Sequence, residues 1–450
     1  MSEPSDSHGW SDNHVCSTVD MGLRWSNSGP IAGMRCTAIT EPGDPDGWGD
    51  NFLCLPNDSQ FSLGWSNAGP IPGRLCFPWV EPQESSVWRD NQLCVWWRAV
   101  DPAPQPSLPR YRAVFSSRSG TNAADGAVED AIVDLIDRAV PASRVRVAVY
   151  RFTRARPATA LIQAAQRGVD VRVVVDGDAE DSPGSEVPRL ISALGRSRVT
   201  VCGAPGTACL GTGIMHHKTF LFSELDDGSR NVVLQASHNL TTGQLTRHNN
   251  AVIIRGDSNL FAAYERAFAD QRRDTVHANY YRVASGNFRT RGYFYPRESG
   301  DTVAGVIDNV SCAGTARIRV AMAFFTDARL QVARALARRA QAGCDVQVVI
   351  GNAGIPAGRQ ALAALRDGGA RVTLYPARGG NWALHSKYLL IDARYAGSSA
   401  NRRLVFTGSH NWTGGALRRN DETMLRVEND DVFAAFMADW AHVRDSAGRR

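Results

Sequence analysis

The chain has 450 residues, of which 43% are hydrophobic and 21% charged, and a formal net charge of +5 at pH 7. That length is too great for one ordinary core and predicts two or three domains, while the composition excludes wholesale disorder. No run of about 18 apolar residues occurs, which excludes a membrane-spanning helix, and the slight basic excess suits an anionic partner without indicating nucleic acid.

The first ten residues are polar and acidic and carry no visible signal peptide. Nine cysteines argue about compartment in the other direction. Cys16, Cys36, Cys54, Cys76 and Cys94 fall in the first 100 residues, and the rest form two local pairs, Cys202 with Cys209 and Cys312 with Cys344. Such spacing predicts disulfides and a secreted or extracytoplasmic protein; buried free thiols in a cytoplasmic protein are the alternative. No Cys-x-x-Cys or histidine-rich cluster points to zinc.

Residues 1–100 contain a repeat of 38 to 40 residues. Trp10-Ser11-Asp12-Asn13 returns as Trp48-Gly49-Asp50-Asn51 and as Trp88-Arg89-Asp90-Asn91, each followed three residues later by cysteine. Trp25-Ser26-Asn27-Ser28-Gly29-Pro30 likewise matches Trp65-Ser66-Asn67-Ala68-Gly69-Pro70. Dense Gly, Pro, Asn and Asp without a helical stripe predict short strands and turns, in a small Cys/Trp-rich β-repeat domain stapled by cysteines. Trp10, Trp48 and Trp88 read as repeat core. Trp25, Trp65, Trp79, Trp96, Trp97 and Trp412 are candidates for a membrane interface. Residues 101–110 are proline-rich and read as a linker.

A larger repeat divides the remainder into halves, 111–285 and 286–450. Arg144-Val145-Arg146-Val147-Ala148-Val149 resembles Arg317-Ile318-Arg319-Val320-Ala321-Met322, and Gly168-Val169-Asp170-Val171 resembles Gly343-Cys344-Asp345-Val346. Each half predicts helix, strand, helix, strand, with helical spacing at 131–139 and 161–167. Short, nearly continuous valine-rich strands predict an α/β sandwich whose sheets are largely parallel.

The duplication also carries polar residues that a core does not need. Met215-His216-His217-Lys218 corresponds to Leu384-His385-Ser386-Lys387, each leading into an apolar strand. Residues i and i+2 of a strand share a face, so each His and Lys should point the same way. Ser237-His238-Asn239 and Ser409-His410-Asn411 follow. An imidazole, an ammonium, a hydroxyl and an amide supplied twice suit a phosphodiester, with Lys and Asn donating to its non-bridging oxygens. His217, His238, His248 and His410 also lie near the motifs; bland roles are expected, with His238 and His410 as candidates to line the pocket.

At these residues the chain resembles the phospholipase D superfamily, whose signature His-x-Lys-x4-Asp and Gly-Ser-x-Asn occurs in two copies. The resemblance covers about residues 111–445 and implies a duplicated α/β/α sandwich of the phospholipase D type around one site, with no metal or cofactor. The second copy is complete with His385, Lys387, Asp392, Gly408, Ser409 and Asn411. In the first, Ser223 replaces the Asp and Ala236 the Gly. The resemblance implies catalytic roles for His216, Lys218, Asn239, His385, Lys387, Asn411 and Glu422. Ser237, Asn249, Asp392 and Ser409 are implied as supports. One His attacks phosphorus to give a phosphohistidine while the other protonates the leaving alkoxide. Within-half pairing would set His385 on Glu422 and His216 on Asn249. A carboxylate favours imidazolium, so His385 is expected to be the acid and His216 the nucleophile.

The leading expectation is hydrolysis of glycerophospholipid headgroup diesters at a membrane surface by a monomer. The alternatives are a nucleic-acid phosphodiesterase of the same superfamily, or a non-catalytic relative with a decayed first half. The N-terminal repeats are candidates for binding carbohydrate or lipid.

Overall fold

A computed structural model describes residues 22–39, 51–57, 59, 61–71, 74–79, 91–97, 108–116, 123–352, 354–376 and 382–448. Cys16, Trp10, Trp48 and Trp88 lie outside the described residues. The chain divides into two compact units, Met1–Pro106 and Ser107–Arg450.

The first unit contains two three-stranded antiparallel sheets of the same design. In one, Phe52–Pro56 lies between Arg24–Ser26 and Met34–Ala38; in the other, Gln92–Trp97 lies between Phe61–Ser66 and Leu75–Pro78. Cys36 faces Cys54 and Cys76 faces Cys94 across neighbouring strands, and both pairs are disulfides. The Trp-Ser-Asn-x-Gly-Pro repeat makes a turn: the Ser26 hydroxyl donates to the Gly29 carbonyl at 2.6 Å, and Ser66 to Gly69 at 2.7 Å. Trp79 is buried with Ile39, Leu53 and Leu93, and Trp25 and Trp65 pack against them. Those three tryptophans are therefore core, not a membrane-facing surface. So is Trp412 in the second unit, which is buried with its ring 4.9 Å from that of Phe325.

The second unit holds two large sheets. The first-half sheet runs Val199–Val201, Asp170–Val175, Arg144–Val149, Lys218–Glu224, Arg230–Ala236, Arg247–Ile254, with Tyr111–Ser116 also on the last. The second-half sheet repeats that order from Arg371–Tyr375 through Asp345–Gly351, Arg317–Met322, Lys387–Tyr395 and Asn401–Gly408 to Glu422–Glu428. Period-two alternation sorts each strand between two cores. Val145, Val147 and Val149 pack outward with Phe220 and Phe222 against helices Ala127–Asp137 and Ala155–Gln166. Ala148, Leu221, Val233 and Val252 face inward. They share a central core with Ala321, Leu390, Val405 and Leu425 of the other sheet and with helices Ser258–Arg272 and Asp430–Gly448. Each half thus has both faces covered, and the halves are joined through the inner one.

The sheets are mixed rather than largely parallel. Among the described strands, parallel pairing is confined to Arg144–Val149 with Asp170–Val175 with Val199–Val201, to Arg317–Met322 with Asp345–Gly351 with Arg371–Tyr375, and to the short strand Ala383–Leu384 on Arg247–Ile254. The His-x-Lys strands run antiparallel to Arg144–Val149 and Arg317–Met322 and return through hairpins. Continuous apolar runs report burial on two faces and say nothing of direction, which the connections decide: helical crossovers on one side, short turns on the other.

The remaining predicted disulfides are formed, Cys202–Cys209 and Cys312–Cys344. Gly408 has φ +148°, and a Cβ there would stand 2.3 Å from the Thr423 carbonyl oxygen. Its first-half counterpart is Ala236, which has no such φ. Gly408→Ala is therefore expected to lower stability by roughly 2 kcal/mol or more, while Ala236→Gly costs no more than about 1 kcal/mol, both read by thermal unfolding.

Candidate active site

Both His-x-Lys motifs sit at the carboxyl ends of the parallel strands, where open α/β sheets place their ligands. Lys218 is the first residue of its strand and faces Val149, the last of the neighbouring one; Lys387 faces Met322 in the same way. His216 and His385 precede these strands instead of lying on them. Each is held by the opposite half. The His216 amide donates to the Asp421 carbonyl at 2.9 Å, and the His385 amide to the His248 carbonyl at 3.0 Å.

The side chains cross in the same sense. His216 Nδ1 is 2.8 Å from Glu422 Oε2, and His385 Nδ1 is 3.0 Å from Asn249 Oδ1. This corrects the within-half pairing expected from sequence: Glu422 belongs to His216 and Asn249 to His385. The reason is the backbone pairing just described, which lays each motif beside the partner strand of the other half. The motif serines then fix the two partners. Ser409 Oγ donates to Glu422 Oε2 at 2.5 Å, and Ser237 Oγ to Asn249 Oδ1 at 3.1 Å. Lys218 Nζ donates to the His216 carbonyl at 2.6 Å, and Lys387 Nζ to that of His385. Glu422 and Asn249 are wholly buried, whereas His216, His385, Asn239 and Asn411 retain 7%, 5%, 8% and 7% exposure. The imidazoles and amides expected to touch a substrate thus keep slight exposure, while Lys218 and Lys387 are almost wholly buried.

Several residues of this assembly were not read from the sequence. Thr423 Oγ1 donates to Gln235 Oε1 at 2.7 Å and Asn250 Nδ2 to Thr407 Oγ1 at 2.6 Å, a second pair of crossed bonds. Their signal was present: Gln235 and Thr407 are polar residues that directly follow the apolar runs Val232–Leu234 and Leu404–Phe406. Tyr150, at the end of a core strand, has its ring 5.2 Å from the His216 ring and under the Lys218 ammonium. Its repeat counterpart is Ala323, so duplication hid it.

Asp421 was also missed. Its buried carboxylate accepts the backbone N–H groups of Cys209, Leu210 and Gly211 at 3.0, 3.1 and 2.8 Å. The Cys202–Cys209 disulfide closes the loop that presents those amides. A first-half loop is thereby anchored beside Glu422. Burial pushes Asp421 up to about 7, and the three amides act against that rise.

Other predicted residues do less. Asp392 makes an ion pair with Arg317 at 2.5 Å, five residues past Lys387 and roughly 17 Å along the strand, at 3.3 Å per residue. In the first half Ser223 Oγ accepts the Arg144 amide at 2.8 Å, so the missing Asp leaves a strand-end clamp intact. His238 and His410 are buried, and burial holds each down to about 3, as it does His217. The His410 ring lies 4.3 Å from that of Tyr295. His248 Nε2 is paired with Tyr375 Oη at 2.9 Å.

Electrostatically the site gathers two imidazoles and two lysines about Glu422, with Asp176 also acting on Lys218. Burial, then Lys218 and Lys387, holds His216 far below the usual histidine value. Burial, then Lys387, Arg247, Lys218 and His216, does the same to His385, which places both motifs within one electrostatic neighbourhood. Burial brings Lys218 down to about 7 and Lys387 well down, with Lys218 adding to the fall of Lys387. Burial raises Glu422 to about 7. The cluster lacks negative charge, and an anion placed among these groups would restore their protons.

Asp421→Ala strands three backbone donors at about 1–3 kcal/mol each. It should lower the stability of the protein by roughly 3 kcal/mol or more in denaturant unfolding, with Asp421→Asn recovering part of that loss.

The family model described as "Cardiolipin synthase, PLD-like domain" matches residues 132–272 and 307–443. Mitochondrial cardiolipin hydrolase of Drosophila melanogaster is 29% identical over 154 residues, 30% of this chain and 55% of that protein. The chain thus spans about half the length of that curated relative. Among solved structures, phosphatidylserine synthase of Haemophilus influenzae superposes with a TM-score of 0.50 at 13% identity, covering 74% of this chain and 89% of that one. Polyphosphate kinase of Porphyromonas gingivalis gives 0.51 at 18%, covering 73% and 46%. At these identities the two structures speak for the fold alone.

Proposed function

The chain belongs to the phospholipase D-like family, and on that footing we propose that it is a phosphodiesterase hydrolysing glycerophospholipid headgroup diesters through a phosphohistidine. The observation that carries the reading is the crossed pair of imidazoles, each oriented by the other half, among two lysines and two asparagines. The cardiolipin chemistry named by the matching family model and by the Drosophila relative supports a phospholipid as substrate. Four disulfides support an oxidising, extracytoplasmic setting. The non-catalytic reading loses support, because Asn249 orients His385 within the site and Ser223 keeps a strand-end bond to the Arg144 amide away from it.

In the first displacement His216 Nε2 attacks phosphorus. Glu422 holds the proton on Nδ1, which leaves the Nε2 lone pair free, and its charge stabilises the imidazolium-like phosphohistidine as it forms. His385 gives its Nε2 proton to the departing oxygen as the P–O bond breaks. Its partner Asn249 is neutral, so the imidazolium is not held as an ion pair and is the better proton donor. The role of each histidine is therefore the one expected from sequence, but the reason is reversed. The carboxylate serves the nucleophile's charged intermediate and not a standing imidazolium on the acid. Water then attacks the phosphohistidine, His385 takes its proton, and His216 departs. Lys218, Lys387, Asn239 and Asn411 surround the non-bridging oxygens. A bound diester brings the missing negative charge and so raises His385 into its protonated, acidic form.

A substrate with a good leaving group, such as bis(p-nitrophenyl) phosphate, needs little help from the acid but still needs the base for hydrolysis. His385→Ala should accumulate a phospho-adduct on His216 with it, detected by intact-protein mass and peptide mapping. An adduct on another residue, or none while wild type turns over, contradicts the scheme. For the free enzyme, Glu422 at about 7 must be ionised and Lys218 at about 7 protonated. kcat/KM against pH should rise as Glu422 ionises, fall as Lys218 and the proton-donating His385 lose their protons, and peak below about pH 7. Glu422→Gln should remove the acidic limb and lower the maximum about 10- to 100-fold.

A further inference from the structure

The two lips of the site differ at one matched position. Arg247-His248-Asn249 occupies the place that Asn420-Asp421-Glu422 has on the other side, with Asn249 and Glu422 as the histidine partners. The Asn420 side chain is committed: its Nδ2 donates to Glu422 Oε1 at 3.2 Å, and its Oδ1 accepts the Ile214 amide at 3.3 Å. The Arg247 guanidinium has no hydrogen bond or ion pair among the described residues. Arg247 begins the strand Arg247–Ile254, two residues before Asn249, so the two side chains leave the strand on one face. That face is the one against which His385 is held, and the charge of Arg247 acts on both His385 and Lys387. The residue is half-buried, and burial pushes its guanidinium below the usual arginine value.

An unpaired, partly desolvated cation is costly unless an anion comes to it. The scissile diester does not fill that need. Its single negative charge is taken up by Lys218, Lys387 and His385, whose protonated forms it favours, and leaves Arg247 without an anion. We propose that Arg247 is a specificity residue that binds a second anionic group carried by the leaving half of the substrate. The inference rests on the phosphodiesterase reading above. Because His385 protonates the departing oxygen, the leaving group lies on the His385 side, which is the side of Arg247. The preferred lipid is therefore one whose departing alcohol bears its own phosphate, a short spacer from the scissile one, and not one with a cationic headgroup. A planar guanidinium suits a phosphate bidentately, which an asparagine at that position would not.

The test uses the full chain and mixed detergent micelles of fixed anionic content, so that surface charge stays constant. Cardiolipin, whose leaving half carries a second phosphate, is compared with phosphatidylcholine. Wild type should prefer cardiolipin. Arg247→Gln should lower kcat/KM for cardiolipin about 10- to 100-fold, chiefly through KM, and change that for phosphatidylcholine less than about threefold. Arg247→Lys should restore part of the loss. An equal fall on both lipids, or a fall confined to kcat with a displaced pH profile, would mean that Arg247 only supports His385 and would overturn the proposal. Single-stranded DNA cleaved in place of either lipid would overturn the assignment of the second anion to a lipid. If wild type fails on both lipids and on bis(p-nitrophenyl) phosphate, the phosphodiesterase reading itself falls; turnover of the small diester with no lipid preference rejects only the Arg247 proposal.

Discussion

The structure turns on two hydrogen bonds that cross its internal duplication, His216 to Glu422 and His385 to Asn249. Neither half contains a complete copy of the site, because each supplies the imidazole for one position and the orienting group for the other. Everything that brings the halves together therefore acts on the chemistry. The shared inner core sets the spacing, with helices Ser258–Arg272 and Asp430–Gly448 packed between the sheets. The short parallel pairing of Arg247 and His248 with Ala383 and Leu384 sets the register. The Cys209–Gly211 amides on Asp421 hold the matching edge on the other side.

Near-symmetry makes the departures informative. A duplicated site with identical partners would have no reason to use one histidine as nucleophile and the other as acid. Here the difference is a carboxylate against an amide, at the same place on matched strands. It tells most when charge develops, since burial keeps both imidazoles far below their usual pKa in the empty site. The excess of lysine over carboxylate extends this logic. A binding site starved of negative charge is neutralised by its own substrate, and proton loading is coupled to occupancy.

Much of this was legible in the chain. The near-constant offset between halves identified the duplication, and two His-x-Lys motifs in register marked residues that the fold brings together. The local cysteine pairs predicted two of the disulfides, Cys202–Cys209 and Cys312–Cys344. What could not be read was which half each partner serves. Glu422 lies 13 residues from Ser409 and 37 from His385 along the chain, and sequence proximity favoured the wrong histidine. Only the placement of one sheet against the other sets the crossing, and that placement depends on the summed packing of many inner-face residues. Strand direction escaped for a related reason, since a valine-rich run buried on both faces has the same composition whether its neighbour is parallel or antiparallel. Tyr150 and Arg247 escaped because the repeat does not preserve them. Duplication displays what the halves share, and the positions where they differ are those that can distinguish one side of a substrate from the other.

The crossing is the claim most open to direct measurement. Proton–nitrogen NMR of the imidazole Nδ1–H groups, in wild type, Glu422→Gln and Asn249→Ala, reads each partner separately. Glu422→Gln should shift the His216 resonance and leave that of His385 in place, and Asn249→Ala should do the reverse. A His385 resonance that moves with Glu422, and a His216 resonance indifferent to it, would contradict the account.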